Sequence, residues 1–167
     1  MNKVIYLKPK DVKMDRLKNV FDKIGSLIPG YKGYAERDGR RNCDKILRDS
    51  ISAQLSECEK ILYSQMKDAL KIKDKSKMNE LEEVRKETNT FLSKVKFAPY
   101  GATGFFSDNQ IKEDELFSIY QYDFDLAESV KRFFELSTSD DIVATKNQLK
   151  NCTEILLKRN NYINEFK

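Results

Sequence analysis

The sequence predicts an all-α fold, specifically an elongated antiparallel bundle of four to five helices that contains one long helical hairpin. Apolar residues recur every three or four positions along most of the chain, which is the spacing of one helix face. The chain has only 6 glycines and 3 prolines, and most of them fall between the periodic segments. A length of 167 residues with 40% hydrophobic residues suits a single helical domain spanning 1–167.

The first periodic segment follows residues 1–8, which we expect to form a short strand or an ordered arm. Pro9 suits the first turn of a helix. Apolar residues then follow helical spacing up to position 27 or 28, and Pro29 with Gly30 ends that helix.

The longest periodic segment runs from about 36 to 72 and predicts one continuous helix of about 50 Å. Its apolar stripe consists of Cys43, Leu47, Ile51, Leu55, Cys58, Leu62, Met66 and Ala69 or Leu70. Residues 71–77 predict a polar turn, and a stripe from Met78 to Val95 predicts a shorter partner helix with coiled-coil-like packing. We expect the helix of residues 10–27 to cover the rest of the long helix, and any uncovered stripe to bind another molecule.

Two further helices are predicted after an irregular stretch at 98–112. The first begins near Glu113 and continues to Phe134, and the second runs from Ile142 towards Ile163. Residues 137–139 separate them, and Thr138 with Asp141 resembles a capping box.

The absence of histidine excludes several function classes. Ser-His-Asp and Cys-His catalysis, histidine-ligated zinc, proximal-histidine haem and Glu-x-x-His di-iron sites all need that side chain. Only carboxylate, lysine, tyrosine or cysteine chemistry remains for an enzyme. We predict no cofactor and no metal, and a metal site made of carboxylates alone stays an alternative.

The cysteines and the N-terminus indicate a cytoplasmic protein. Cys43, Cys58 and Cys152 are widely spaced without a CxxC pair, so we expect buried reduced thiols, as in a reducing compartment. The apolar run near the N-terminus has only four residues, shorter than a secretory signal requires, and no stretch is long enough to span a membrane.

Charge is distributed unevenly along the chain. The net charge of +4 combines a net +8 over residues 1–97 with a net −4 over 98–167. Either the two halves complement each other within the fold, or the basic half binds an anionic partner such as nucleic acid or a membrane surface.

A glycine-tyrosine loop at 28–34 precedes the long helix. Its glycines, followed by Arg37, Arg40 and Arg41, could present backbone N–H groups and positive charge to an anion. Alternatively, it is a tight interhelix turn in which Tyr31 and Tyr34 pack over helix ends. The spacing matches neither a P-loop nor a dinucleotide-binding fingerprint.

A second glycine-aromatic loop, at 100–106, is either tucked into the bundle or exposed for a partner. Tyr100, Phe105 and Phe106 would be binding anchors if exposed.

Two charged stretches also have alternative interpretations. The acidic residues from Asp108 to Glu128, Asp123 among them, are either a cation site or a solvated helix face. The lysines at 71–77 are either a phosphate-binding patch or a solvated hairpin tip.

Two segments together resemble an uncharacterised family of small helical prokaryotic proteins. Residues 28–48 are similar to an IPGYxGY…RR…LR pattern, and residues 97–124 are similar to a YGxxGxF…LY pattern. The resemblance implies that the two glycine-aromatic loops belong to one shared design. It implies no activity, cofactor or catalytic residue.

These observations favour a non-catalytic protein that acts as a protein–protein interaction or scaffolding module, with an unknown protein or a second copy as its partner. Electrostatic binding to nucleic acid or an anionic membrane through the basic half is one alternative. A metal-dependent enzyme that uses carboxylates alone is another. The predicted interaction surface consists of Tyr31, Tyr34, Arg40, Arg41, Tyr100, Phe105 and Phe106.

Overall fold

The computed structural model describes residues 9–98, 103–107 and 110–166. These residues form five α-helices and no β-strand, which confirms the all-α prediction. The helices are α1 (Pro9–Leu27), α2 (Arg40–Lys71), α3 (Lys75–Lys96), α4 (Glu113–Ser137) and α5 (Ile142–Asn164). The predicted arm at 1–8 lies outside the described residues.

Helices α2 to α5 form an antiparallel bundle made of two hairpins. Helix α2 packs most closely on α3, and α4 packs most closely on α5. The hairpins meet where α2 contacts α4, and more loosely where α3 contacts α5. The predicted long hairpin is therefore present, joined by a turn at 72–74.

Helix α1 packs on α4, so the prediction that it covers α2 is wrong. Helix α4 takes that place beside α2. The physical reason lies in the loop after α1, where Tyr31 and Tyr34 bond to Asp123 of α4. These bonds hold the loop, and with it the end of α1, against α4.

The apolar stripe of α2 forms the centre of the core. Its members from Cys43 to Leu62, together with Ala69, are at most 2% exposed, because α3 and α4 cover them. The expectation that an uncovered stripe needs another molecule is therefore wrong for most of α2. The stripe differs only towards its end, where Met66 is half-buried and Leu70 is 60% exposed.

Short capped turns join the helices at one end of the bundle, which we call the turn end (residues 72–74 and 138–141). The Asp74 carboxylate accepts a hydrogen bond from Lys77 N at 3.0 Å and caps α3. Asp141 caps α5 in the same way, accepting from Ala144 N at 2.9 Å. The predicted Thr138–Asp141 capping box is wrong, because the Thr138 hydroxyl donates back to the Glu135 carbonyl.

Longer connecting segments lie at the opposite end, which we call the loop end (residues 28–39, 97–98, 103–107 and 110–112 of the described chain). All three cysteines are buried free thiols, as predicted. None of the helices in the described part of the chain has the length and apolar character needed to cross a bilayer.

Candidate functional site

A buried polar network occupies the loop end, and Arg159 of α5 lies at its centre. The Arg159 guanidinium donates from Nε to Asp123 Oδ1 at 2.5 Å and from Nη2 to Asp44 Oδ1 at 2.6 Å. It also donates to the Tyr34 hydroxyl at 3.0 Å. One side chain of α5 therefore joins a carboxylate of α2 to a carboxylate of α4.

The second oxygen of each carboxylate is also bonded. Asp123 Oδ2 accepts from the hydroxyls of Tyr31 and Tyr34 at 2.6 and 2.7 Å. Asp44 Oδ2 accepts from Arg48 Nε at 2.6 Å. Two arginines thus balance two aspartates, as burial of such charges requires.

Two arginines also bond the backbone of the irregular segments. Arg48 Nη1 donates to the carbonyls of Val95 and Ala98, where α3 ends. Arg40 Nε donates to the Tyr34 carbonyl at 2.9 Å. Its Nη1 donates to two carbonyls of the second loop, those of Phe105 and Ser107. These bonds satisfy carbonyls that no helix or sheet could satisfy.

Gly33 brings the first loop into close contact with α1 and α4. Its φ of +77° lies in the left-handed region, and a Cβ there would be 2.3 Å from Tyr120 Oη and 2.9 Å from Phe21. The Tyr120 hydroxyl accepts a hydrogen bond from Tyr34 N at 3.0 Å. Only glycine fits this conformation and this space.

Burial and the charges of neighbouring groups shift the pKa values of the network. It raises the pKa of the Tyr31 and Tyr34 hydroxyls well above the usual range, and the negative Asp123 raises both further. For Arg159, burial alone would lower the pKa. The Asp123 carboxylate, Tyr34 and the Asp44 carboxylate outweigh that effect, so the Arg159 pKa is raised.

The network binds its own members. Tyr34, Asp44, Asp123 and Arg159 are at most 1% exposed, and their side chains form hydrogen bonds with one another and with Tyr31 and Arg48. Such an arrangement fixes the relative positions of three helices and a loop. Among the described residues, no group of three or more acids or cysteines is placed to hold a metal ion.

The predicted interaction surface is wrong for four of its seven residues. Tyr31, Tyr34, Arg40 and Phe105 are all at most 6% exposed. The tyrosine hydroxyls reach Asp123, and the Tyr34 ring packs edge-on against Phe105 at 5.0 Å. The loops are therefore folded inward, because their aromatic rings complete the core and their polar groups complete the network.

The other three residues have different outcomes. Arg41 is exposed, with its guanidinium 5.5 Å from the centre of the half-buried Phe106 ring. Tyr100 lies outside the described residues. The proposed anion role of Arg40 is also wrong, because its guanidinium bonds to carbonyl groups of both loops.

Asp44, Arg48 and Arg159 were not among the predicted site residues, and Asp123 was expected in a cation site or on a solvated helix face. Asp123 is in fact fully buried. A signal was present in the spacing, since Arg159 follows Cys152 and Leu156 on the apolar stripe of α5 and Ile163 continues it. A charge within a buried stripe indicates a buried partner of opposite charge.

A groove lies between α3 and α5, where the two hairpins meet most loosely. Its volume is about 610 Å³. Phe91 and Leu149, each 2% exposed, are among its lining residues. The polar lining includes one acid, Glu87, and four lysines, namely Lys86, Lys94, Lys146 and Lys150.

Comparison of the chain with protein-family models, curated proteins and solved structures finds no match in any of the three. The resemblance to a small helical prokaryotic family therefore stays a prediction.

Proposed function

We propose that the protein is a non-catalytic interaction module whose α3–α5 groove binds an acidic amphipathic helix of a protein partner. The observation that carries the proposal is the groove itself. It combines buried apolar residues with a lysine-rich border along two parallel helices. Helices bind such grooves through an apolar face at positions i, i+3, i+4 and i+7.

Exposed apolar residues extend the groove towards the loop end. Leu157 is 59% exposed, and helical spacing places it on the face of α5 that carries Lys150 and Thr153. Phe97, directly after α3, is 73% exposed. A partner helix that covered both residues would remove their apolar surface from water.

The charge of the groove specifies the partner. Lys146 pairs with Glu83 at 2.8 Å and Lys86 pairs with Glu82 at 3.1 Å. Lys94 and Lys150 form no ion pair with any described residue. These two lysines favour a partner with acidic residues flanking its apolar face, because complementary charge steers association and fixes register.

The buried network supports a structural role rather than a chemical one. Its carboxylates and tyrosine hydroxyls are paired within the fold. A rigid bundle with a preformed groove is suited to binding or scaffolding, since little ordering entropy is lost on association. The described residues include no group of three or more acids or cysteines that could hold a metal ion, so no observation favours a carboxylate-only metal enzyme.

Peptide binding tests the proposal. The probe is a fluorescein-labelled amphipathic helix with leucines at heptad spacing and glutamates on both flanks, measured by fluorescence anisotropy. We expect the unmodified protein to bind this peptide. The double variant Lys94→Glu with Lys150→Glu should abolish that binding. Lys73→Glu with Lys75→Glu, at the turn end, is the matched control and should leave the affinity unchanged.

The same peptide with lysines in place of the glutamates should not bind. Equal affinity for both peptides, or an equal effect of the two double variants, would contradict the groove as the binding site. Amide chemical-shift changes in the unmodified protein provide a second measurement, and they should centre on Phe91, Leu149 and Leu157.

A further inference from the structure

We propose that the tip of the α2–α3 hairpin, residues 66–76, docks on the interface of an anionic lipid membrane. The tip is at the turn end and shares no residue with the α3–α5 groove. The inference therefore does not depend on the function proposed above. It rests on the exposure and charge of the tip.

The tip lies between two side-chain contacts with the α4–α5 turn. The Gln65 side-chain amide donates to the carbonyls of Ser137 and Ser139, at 2.9 and 3.3 Å, and Lys77 of α3 pairs with Asp140 at 3.2 Å. Beyond Gln65, helix α2 continues for six more residues, to Lys71. The tip is therefore the part of the hairpin that extends past these two contacts.

Two aliphatic side chains lie at the projecting point. Leu70 is 60% exposed and Ile72 is 73% exposed. Both follow the last buried member of the α2 stripe, Ala69. Removing large aliphatic side chains from water is favourable, and a lipid bilayer offers an apolar interior just below its polar headgroups.

Lysines surround the aliphatic pair. Lys67, Lys71, Lys73 and Lys75 are all exposed. The two acids of the tip are occupied locally, since Asp68 pairs with Lys71 at 2.7 Å and Asp74 caps α3. Lys73 and Lys75 form no ion pair with any described residue, so their charge is available to anionic headgroups.

The backbone at Lys73 closes the C-terminal end of α2, where Asp74 N donates to the Ala69 carbonyl at 2.9 Å and Lys73 N donates to the Leu70 carbonyl at 3.0 Å. The φ of Lys73 is +59°, and it is the only non-glycine residue with positive φ in the described part of the chain. Glycine adopts this conformation without the steric cost that a side chain incurs. The cap therefore places a charged side chain, and not a glycine, at the exposed point of the turn.

The chemistry of the tip favours a membrane over nucleic acid. Its two apolar side chains are aliphatic, whereas binding to single-stranded nucleic acid relies on aromatic side chains that stack on bases. Behind the tip, the Asp140 side chain is 90% exposed and pairs with Lys77 at 3.2 Å, so its negative charge is balanced locally.

The chain contains no tryptophan, which gives a site-specific test. In the Ile72→Trp variant of the full chain, vesicles of phosphatidylcholine mixed with phosphatidylserine should shift the emission to shorter wavelength at low salt. Pure phosphatidylcholine vesicles should shift it far less. Leu157→Trp, at a similarly exposed aliphatic position on α5, is the control and should show no shift.

Vesicle flotation of two double variants separates charge from insertion. Lys73→Gln with Lys75→Gln should weaken binding about twenty-five-fold, from roughly fivefold for each lysine. Leu70→Ser with Ile72→Ser should weaken it about tenfold or more. Lys94→Gln with Lys150→Gln, in the groove, should leave vesicle binding unchanged, which keeps this test separate from the peptide test.

Three outcomes would overturn the proposal. One is that anionic vesicles at low salt cause no shift in the emission of the Ile72→Trp variant. Another is an equal loss of vesicle binding in the groove variant and the tip variants. The third is tight binding of a single-stranded or duplex oligonucleotide through the tip, without any binding to vesicles. Far-ultraviolet circular dichroism of each variant shows that the exposed substitutions leave the helices folded.

Discussion

The two ends of the bundle solve the same problem, the joining of helices, in opposite ways. At the loop end, two irregular segments enter the fold, and buried charges hold their backbone and each other. At the turn end, Asp74 and Asp141 cap the following helices and no buried charge is involved. Local hydrogen bonds are enough for a short turn, and they leave its other side chains exposed.

This difference determines which end tolerates change. Burying an ion pair costs desolvation energy, so a network of this kind contributes geometry more than net stability, but removing one partner leaves the other charge unpaired. The turn end buries no such group. We therefore expect steep losses from substitutions at the loop end and small effects at the turn end.

The largest expected effect is from Arg159→Ala. Two buried carboxylates, Asp44 and Asp123, would lose their shared partner, and the free energy of unfolding should fall by about 3–5 kcal/mol. Urea denaturation measures this change. The exposed neighbour provides the control, since Lys158→Ala should change it by less than about 0.5 kcal/mol. A loss below about 1 kcal/mol for Arg159→Ala would show that the network is not essential.

The second largest expected effect is a loss of stability at alkaline pH, which arises at the loop end. The pKa values of Tyr31 and Tyr34 are raised in the folded state, so above about pH 10 the unfolded chain loses these protons first. Their contribution is complete below that pH and decreases as the pH rises towards the folded values. Between pH 9 and 11, the free energy of unfolding should fall by about 1.4 kcal/mol for each tyrosine, or by roughly 3 kcal/mol for both.

Tyr31→Phe isolates this effect from other titrating groups, including the buried thiols, whose pKa values burial raises to about 11 for Cys43 and about 12 for Cys58. Between pH 9 and 11, the unmodified protein should lose about 1.4 kcal/mol more than Tyr31→Phe in chemical denaturation. Parallel losses in the two proteins would contradict the assignment to Tyr31.

A pair of glycines tests the close contact of the first loop. Gly33→Ala should cost about 2–3 kcal/mol, from left-handed strain together with the clash with Tyr120. Gly30 has a similar φ of +85° with open space around it, so Gly30→Ala should cost only about 1–2 kcal/mol. Thermal or urea denaturation compares them, and equal costs would mean that the contact with Tyr120 contributes nothing.

The smallest expected effect is at the turn end and has the opposite sign. Lys73→Gly relieves the left-handed strain and should raise the free energy of unfolding by up to about 1 kcal/mol. Lys67→Gly, at an exposed position inside α2, should lower it by about 0.8–1 kcal/mol. Urea denaturation of both variants gives the comparison, and a destabilising Lys73→Gly would remove the argument from strain.

Much of the helical architecture could be predicted from the sequence because it depends on local periodicity. The stripe from Cys43 to Ala69 predicted α2 within a few residues of its observed ends, and the lysine-rich turn after it predicted the hairpin. The break near Ser137 was also found, although its cap was assigned to the wrong residue. Periodicity reports which face of a helix is buried, and most boundaries follow from it.

The candidate sites were less accessible to sequence reasoning. Tyr31 and Phe105 were included in the predicted interaction surface because they lie in glycine-containing loops, yet both are buried. Asp123 looked like one of several clustered acids. Its burial depends on Arg159, which is 36 residues away along the chain. Pairing between such distant residues leaves no local pattern, so it could not be assigned in advance.

The amino-acid sequence by itself determined the helical fold, the order of the helices and their turns, because these depend on interactions within a few residues. The tertiary structure alone decided which helix covers α2, where the two loops lie and which charges are buried. Those features depend on contacts between distant segments. Their free energy comes from excluding water and pairing charges in one common interior, which exists only when all five helices of the described chain are assembled.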